Sequence, residues 1–150
     1  MKKVIRTMGL FIAFAIIAAL GLMAYVRLAP SDPAVWDVPP AIYGWDHGTP
    51  FDTVIAQTGG ASLRLSSATG DPAQHLARLD AIAMATPRTT RLAQSDTRIT
   101  WITRSALWGF PDYTTAEVRP DGLYIYARLR FGSSDMGVNA ARLNDWLSRL

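Results

Sequence analysis

The stretch DYTTAEVRPDGLYIYARLRF, residues 112–131, decides the fold. Its second half alternates without a break: Leu123, Ile125, Ala127, Leu129 and Phe131 point one way, Tyr124, Tyr126, Arg128 and Arg130 the other. A period of two over nine residues is the pattern of a strand with one buried face. Pro120-Asp121-Gly122 just before it is a turn signal, because proline presets the first corner and glycine accepts a positive backbone angle. Asp112 to Val118 therefore forms the preceding strand of a hairpin. Its weaker apolar content predicts a place near a sheet edge.

Working outward, Arg98 to Ala106 sets Ile99 and Trp101 against Arg98, Thr100 and Arg104, with Ile102 departing from the pattern. A weaker strand is expected over Thr89 to Ala93. Upstream, Ala61 to Ser66 reads as a short strand carrying Leu63 and Leu65 on one face. Asp71 is then a helix N-cap, Pro72 fits the first helical position and Gln74 stands where a capping-box partner belongs. Leu76, Leu79, Ile82 and Ala83 give that helix an apolar stripe that ends before Pro87. Asn139 to Leu150 closes the chain as a second helix, with Asn139 as N-cap and Leu143, Trp146, Leu147 and Leu150 on one face. Strands joined by short turns predict an α+β domain: a mostly antiparallel sheet of four to five strands with two packed helices. There is no βα alternation and no internal repeat.

The N-terminus has a different character. Thr7 to Val26 is a run of 20 residues without a charge, long enough as a helix to cross a hydrocarbon core of roughly 30 Å. Lys2, Lys3 and Arg6 precede the run and only Arg27 follows closely, which keeps the N-terminus in the cytoplasm and exports the rest. The expected organisation is a basic tip over 1–6, a transmembrane signal-anchor helix over 7–26, an extended proline- and aromatic-rich arm over 27–60 and a globular core over 61–150. This corresponds to a single-pass protein of a bacterial inner membrane with a periplasmic domain. The alternatives are a cleaved signal peptide, which would release the domain into the periplasm, and a buried soluble helix; the run exceeds the usual signal length and no good cleavage site follows it. In the arm, Trp36 and Trp45 serve either as packing groups or as anchors at the membrane interface.

The charge arithmetic follows the same division. Of the 150 residues, the first 30 hold four of the 15 basic side chains and no acidic one; the remaining 120 hold 11 arginines, no lysine and all 12 acidic groups. The net charge of +3 thus belongs to the membrane leader, and nucleic acid is excluded as a partner of the exported domain. The expected partners are the lipid bilayer through residues 7–26 and an envelope protein or an anionic small molecule or lipid.

The residues carry little catalytic chemistry. With no cysteine there are no disulfides, thiolate metal sites or cysteine nucleophiles. Asp46, His47 and Asp52 do not form a closed metal-ligand spacing, so no metal and no cofactor is expected. Ser133 and Ser134 lack the GxSxG elbow, and a triad would have to recruit His47 or His75 from distant sequence. Gly59-Gly60 lacks the other elements of a phosphate loop. The candidate binding residues are Arg104, Arg128, Arg130 and Arg142, with Asp112, Ser133, Ser134, Asp135 and Asn139. Arginine forks suit carboxylates, which would lock the final loop to the sheet; spare forks suit a bound anion. Arg142, in a first helical turn, calls for an acidic partner, and Asp135 is the nearest in sequence.

The block Arg130, Gly132, Ser134, Asp135, Gly137, Val138, Asn139 and Arg142, preceded by Thr103-Arg104-Ser105 and Gly109-Phe110-Pro111-Asp112-Tyr113, resembles the DUF1499 family of uncharacterised proteins. The resemblance covers about Pro33 to Leu150. It implies a domain seen in bacteria and plastids, often behind a membrane or export segment, with no assigned reaction. Many relatives carry an N-terminal cysteine motif and a doubled aspartate in the connector. This chain has no cysteine, and Pro111-Asp112 stands at the aspartate pair.

Overall fold

Alternating apolar residues build a six-stranded, fully antiparallel sheet in the computed structural model, which describes residues 2–40 and 50–150. Helix α1 (Lys2–Leu28) and the single turn α2 (Pro33–Trp36) precede it. Then come β1 (Ile55–Gln57), β2 (Gly60–Ser66), α3 (Pro72–Ala85), β3 (Thr89–Gln94), β4 (Arg98–Arg104), β5 (Pro111–Arg119), β6 (Gly122–Leu129) and α4 (Val138–Ser148). The spatial order is β1-β2-β6-β5-β4-β3, so β3 to β6 form a meander and β2 returns to the free side of β6. The sheet has six strands where four to five were expected. The extra one, β1, is a three-residue hairpin partner of β2 within the stretch read as extended arm, too short to show a period.

Strand β5 corrects the edge expectation, for it lies between β4 and β6. Its threonines misled the reading: Thr114 and Thr115 are buried, and Thr115 shares a hydrogen bond with Thr100 on β4, as an inner strand allows. The edges are β1 and β3, and β3 carries a register shift between Arg91 and Ala93, an irregularity that discourages pairing with another sheet. At the β5–β6 turn, Gly122 is required by close approach, since a Cβ there would stand 2.0 Å from the carbonyl oxygen of Leu65.

One face of the sheet buries Leu63, Leu65, Ile99, Trp101, Ala116, Leu123 and Ile125 beneath Leu76, Leu79 and Ala83 of α3 and Leu143 and Trp146 of α4. Trp101 and Trp146 meet edge to face with centroids 5.8 Å apart. Each indole N–H has an acceptor: Trp101 donates to Asp80 at 2.8 Å and Trp146 to Thr86 at 2.9 Å. Asp71 caps α3 by accepting from the amide of Ala73, with Pro72 at the first position as expected.

The other face is covered by the chain leaving α1. Trp36 stacks on Tyr113 with centroids 4.0 Å apart and planes 7° from parallel, and Asp37 accepts from Thr100 at 2.7 Å. Asp37 also pairs with Arg98, whose guanidinium this hydrogen bond holds more firmly in its charged form despite partial burial. Trp36 thus takes the packing role on the sheet. Trp45 lies outside the described residues.

Replacing Trp146 by alanine opens a core cavity and should cost about 3–5 kcal/mol in denaturant unfolding. Trp146→Phe, which keeps most of the ring but not the bond to Thr86, should cost clearly less; equal losses would contradict this packing account.

Candidate functional site

The final loop explains the residues that stood out in sequence. Asp135 accepts from the amides of Gly137 (3.1 Å) and Asn139 (2.9 Å), so it supplies the side-chain cap of α4. The helix starts at Val138 with Gly137 at the cap position, which overturns the expectation of Asn139 as N-cap. Asn139 is instead fully buried inside the first turn, and its Oδ1 accepts from Arg142 at 2.6 Å. Ser134 accepts from the amide of Met136. Short side chains that accept from amides two and four residues on are a local turn device, which is why the loop looked chemically rich.

Arg142 does have the acidic partner its position calls for, but it is Asp112 at 3.1 Å, not Asp135. Sequence distance hid the pair, because Asp112 opens β5 and Arg142 comes from α4. Burial raises the Asp112 carboxyl above the usual carboxylate range; the charge and hydrogen bond of Arg142 oppose this, and nearby Asp135 adds to it. Asp112, Ser134 and Asp135 also border a shallow cavity of about 230 Å³, otherwise lined largely by Phe110, Leu129, Phe131, Met136 and Val138.

The other candidate arginines lie elsewhere. Arg128 is buried on the arm side of the sheet, donating to the carbonyl of Trp36 at 2.5 Å and to Thr115 at 3.3 Å. Arg130 donates to the carbonyl of Pro30 and to the Tyr113 hydroxyl, which also meets Ser31 at 2.7 Å. Both arginines thus tie the arm to the sheet. The sheet itself separates them from Arg142, so the four arginines do not form one cluster with Asp112 and Asp135.

Arg104 belongs to a third place. It donates to the carbonyl of Gly109 at 3.0 Å, and with Arg27 and Arg88 it frames a pocket of about 470 Å³. Arg27 and Arg88 escaped the sequence reading as site residues: Arg27 stood only as a flank of the apolar run, and Arg88 carried no signal. Arg27 reaches the carbonyl of Leu107 at 2.9 Å, and Arg88 the carbonyl of Arg104 at 3.1 Å. Gly109 is needed here, with φ of +76° and Arg27 Cγ only 2.8 Å from where a Cβ would stand.

Catalytic geometry does not assemble among the described residues. Ser133 and Ser134 follow the C-terminal end of β6. His75 packs against Gly70, beyond the end of β2 that pairs with the start of β6. The length of β6, about 23 Å, separates those ends, so neither serine meets His75. No group of acidic and histidine residues among the described residues could hold a metal ion. Asp52 accepts from the amide of Ser66, while Asp46 and His47 lie outside the described residues.

These features define an α+β domain behind an apolar helix, with its polar clusters spent largely on holding the arm and the last helix. The chain belongs to DUF1499, a family of proteins of unknown function, which it matches over residues 52–150. No curated protein and no solved structure matches it.

Arg142→Met leaves the Asp112 carboxylate buried without its partner and should cost about 3–5 kcal/mol at neutral pH; Asp112→Asn should cost much less. The folded state holds the Asp112 proton more tightly than the unfolded chain, so this group favours folding in acid and loses that contribution as pH rises through its folded pKa. In unfolding curves taken across pH, wild type should therefore lose ground to Asp112→Asn as pH rises. A wild type that gains ground instead would contradict the burial argument.

Proposed function

We propose that this protein is a non-enzymatic binding module of the bacterial envelope, held on the inner membrane by its first helix with the domain on the periplasmic side. Helix α1 supports the anchor. Its segment Lys3–Leu28 is the one helix among the described residues long and apolar enough to cross a membrane, with a mean hydropathy of 2.4 and almost none of its surface covered by the rest of the chain. Phe11, Phe14, Ile17 and Leu20 are all more than half exposed, which distinguishes α1 from the core helix of a soluble protein. Lys2, Lys3 and Arg6 support the orientation.

The observation that carries the reading is the join between anchor and domain. Val26 is only 1% exposed, Tyr25 meets Phe131, and Arg27 holds the loop between β4 and β5 through Leu107. Arg130 and Tyr113 then grip Pro30 and Ser31. With no slack between span and sheet, the domain sits against the bilayer with the loops after β4 and β6 nearest it. Leu107 and Met136, 69% and 90% exposed, are the apolar tips of those loops and suit contact with a membrane surface.

The full-length chain should remain in the membrane pellet after a carbonate wash, and added protease should degrade its domain in spheroplasts but not in inverted vesicles. A shortened chain in the soluble periplasmic extract would overturn the anchor; protection in spheroplasts would overturn the orientation.

A further inference from the structure

We infer that the pocket framed by Arg27, Arg88 and Arg104 is a binding site for a phosphate group, placed where a phospholipid headgroup can supply it. The three guanidiniums come from the end of α1, the turn before β3 and the end of β4, positions 27, 88 and 104, so the fold brings them together. No carboxylate among the described residues pairs with any of them, whereas Arg91, Arg98, Arg119, Arg142 and Arg149 each have one. Three like charges around one cavity repel unless an anion joins them.

The donors are already aimed. Each guanidinium is fixed through a bond to a main-chain carbonyl, at 2.9, 3.1 and 3.0 Å, which orients the fork and leaves further N–H groups for a ligand. Thr90 and Ser105 line the same pocket. The Ser105 oxygen accepts from the amide of Phe110, which leaves its O–H available to donate. Arg88 stands at φ of +60°, a strained conformation for an arginine, and strain of this kind gathers at functional sites. The volume of about 470 Å³ falls within the roughly 300–1,000 Å³ of small-ligand sites. Planar forks with several N–H groups match phosphate oxygens, which accept several bonds at once.

The level of the pocket argues for a lipid source. Arg27 directly follows the uncharged run that ends at Val26, so in an anchored chain its guanidinium lies at the headgroup layer. This source rests on the anchored reading; the phosphate chemistry of the pocket does not.

The test uses the full-length protein in a sugar detergent. Native mass spectrometry with added phosphatidylglycerol, against the matching diacylglycerol, reads the lipid source, and calorimetric titration with inorganic phosphate reads the soluble one. Wild type should retain phosphatidylglycerol and not diacylglycerol. Arg88→Gln and Arg104→Gln should each weaken retention about tenfold, the worth of one charge-assisted hydrogen bond, while Arg78→Gln, an equal charge change on exposed α3, should not. Unchanged thermal melting of Arg88→Gln excludes loss of fold as the cause. Saturable binding of inorganic phosphate alone, lost in Arg88→Gln, would support the site and assign it to a soluble phosphate. Binding of neither probe, or binding unaltered in both pocket variants, would overturn it. A chain that resists carbonate yet binds neither probe overturns this inference alone; a chain released as soluble overturns the anchor, and titration with inorganic phosphate then decides the site.

Discussion

The sheet has two faces to cover and only one pair of helices to cover them with. Helices α3 and α4 take the face of Leu63, Trp101 and Ile125. The opposite face presents Tyr113, Thr100, Thr115 and Arg128, all at or below 5% exposure, and the segment from Val26 to Asp37 closes over it. Burying such polar groups is tolerable only when their bonds are made, and the arm makes them: the Trp36 carbonyl for Arg128, the Asp37 carboxylate for Thr100, Ser31 for Tyr113. The arm is therefore part of the folded domain, although the family match starts only at Asp52. Because the arm begins in the last turn of α1, the apolar helix and the sheet are one mechanical unit.

How much of this was legible depended on period and range. Residues 123–129 alternate cleanly and were read correctly, as was the start of α3, where Asp71 and Pro72 act within one turn. Strand β1 was not, since three residues carry no period and its existence depends on pairing with β2. Strand β5 was placed at an edge because threonine counts as polar in any pattern, yet Thr115 is fully buried through contacts that only the fold creates. The four arginines were grouped on the premise that adjacent strands and the final loop bring them to one region. Side-chain alternation keeps Arg104, Arg128 and Arg130 on the arm side of the sheet, at separate places, while α4 holds Arg142 on the other side. Arg27 and Arg88 had no local mark at all, because a pocket made from three distant segments exists only after folding.

The pattern that carries the family resemblance turns out to be a set of instructions for one corner. Ser134 and Asp135 turn the chain, Asp135 starts the helix, and Arg142, held by Asn139, reaches back to Asp112 at the opening of β5. Such a corner fixes the last helix against the sheet and needs no substrate to explain it. It also sets the loop that carries Met136 beside the one that carries Leu107, since Ser105, Phe110 and Met136 line the same shallow cavity.

The short passage from Leu28 to Pro33 sets the reach of the molecule. Only four residues separate the two helices, and Arg130 and Tyr113 hold two of them. If the first helix is anchored as proposed, a domain tethered this closely cannot rise from the bilayer to search the space above. In that setting its working height is its own thickness, and whatever it meets would have to travel within the membrane or come down to that surface. Turning of the helix about its axis becomes turning of the whole domain, so encounters are a matter of sliding and rotating in a plane, closer to a wheel on an axle than to a lure on a line.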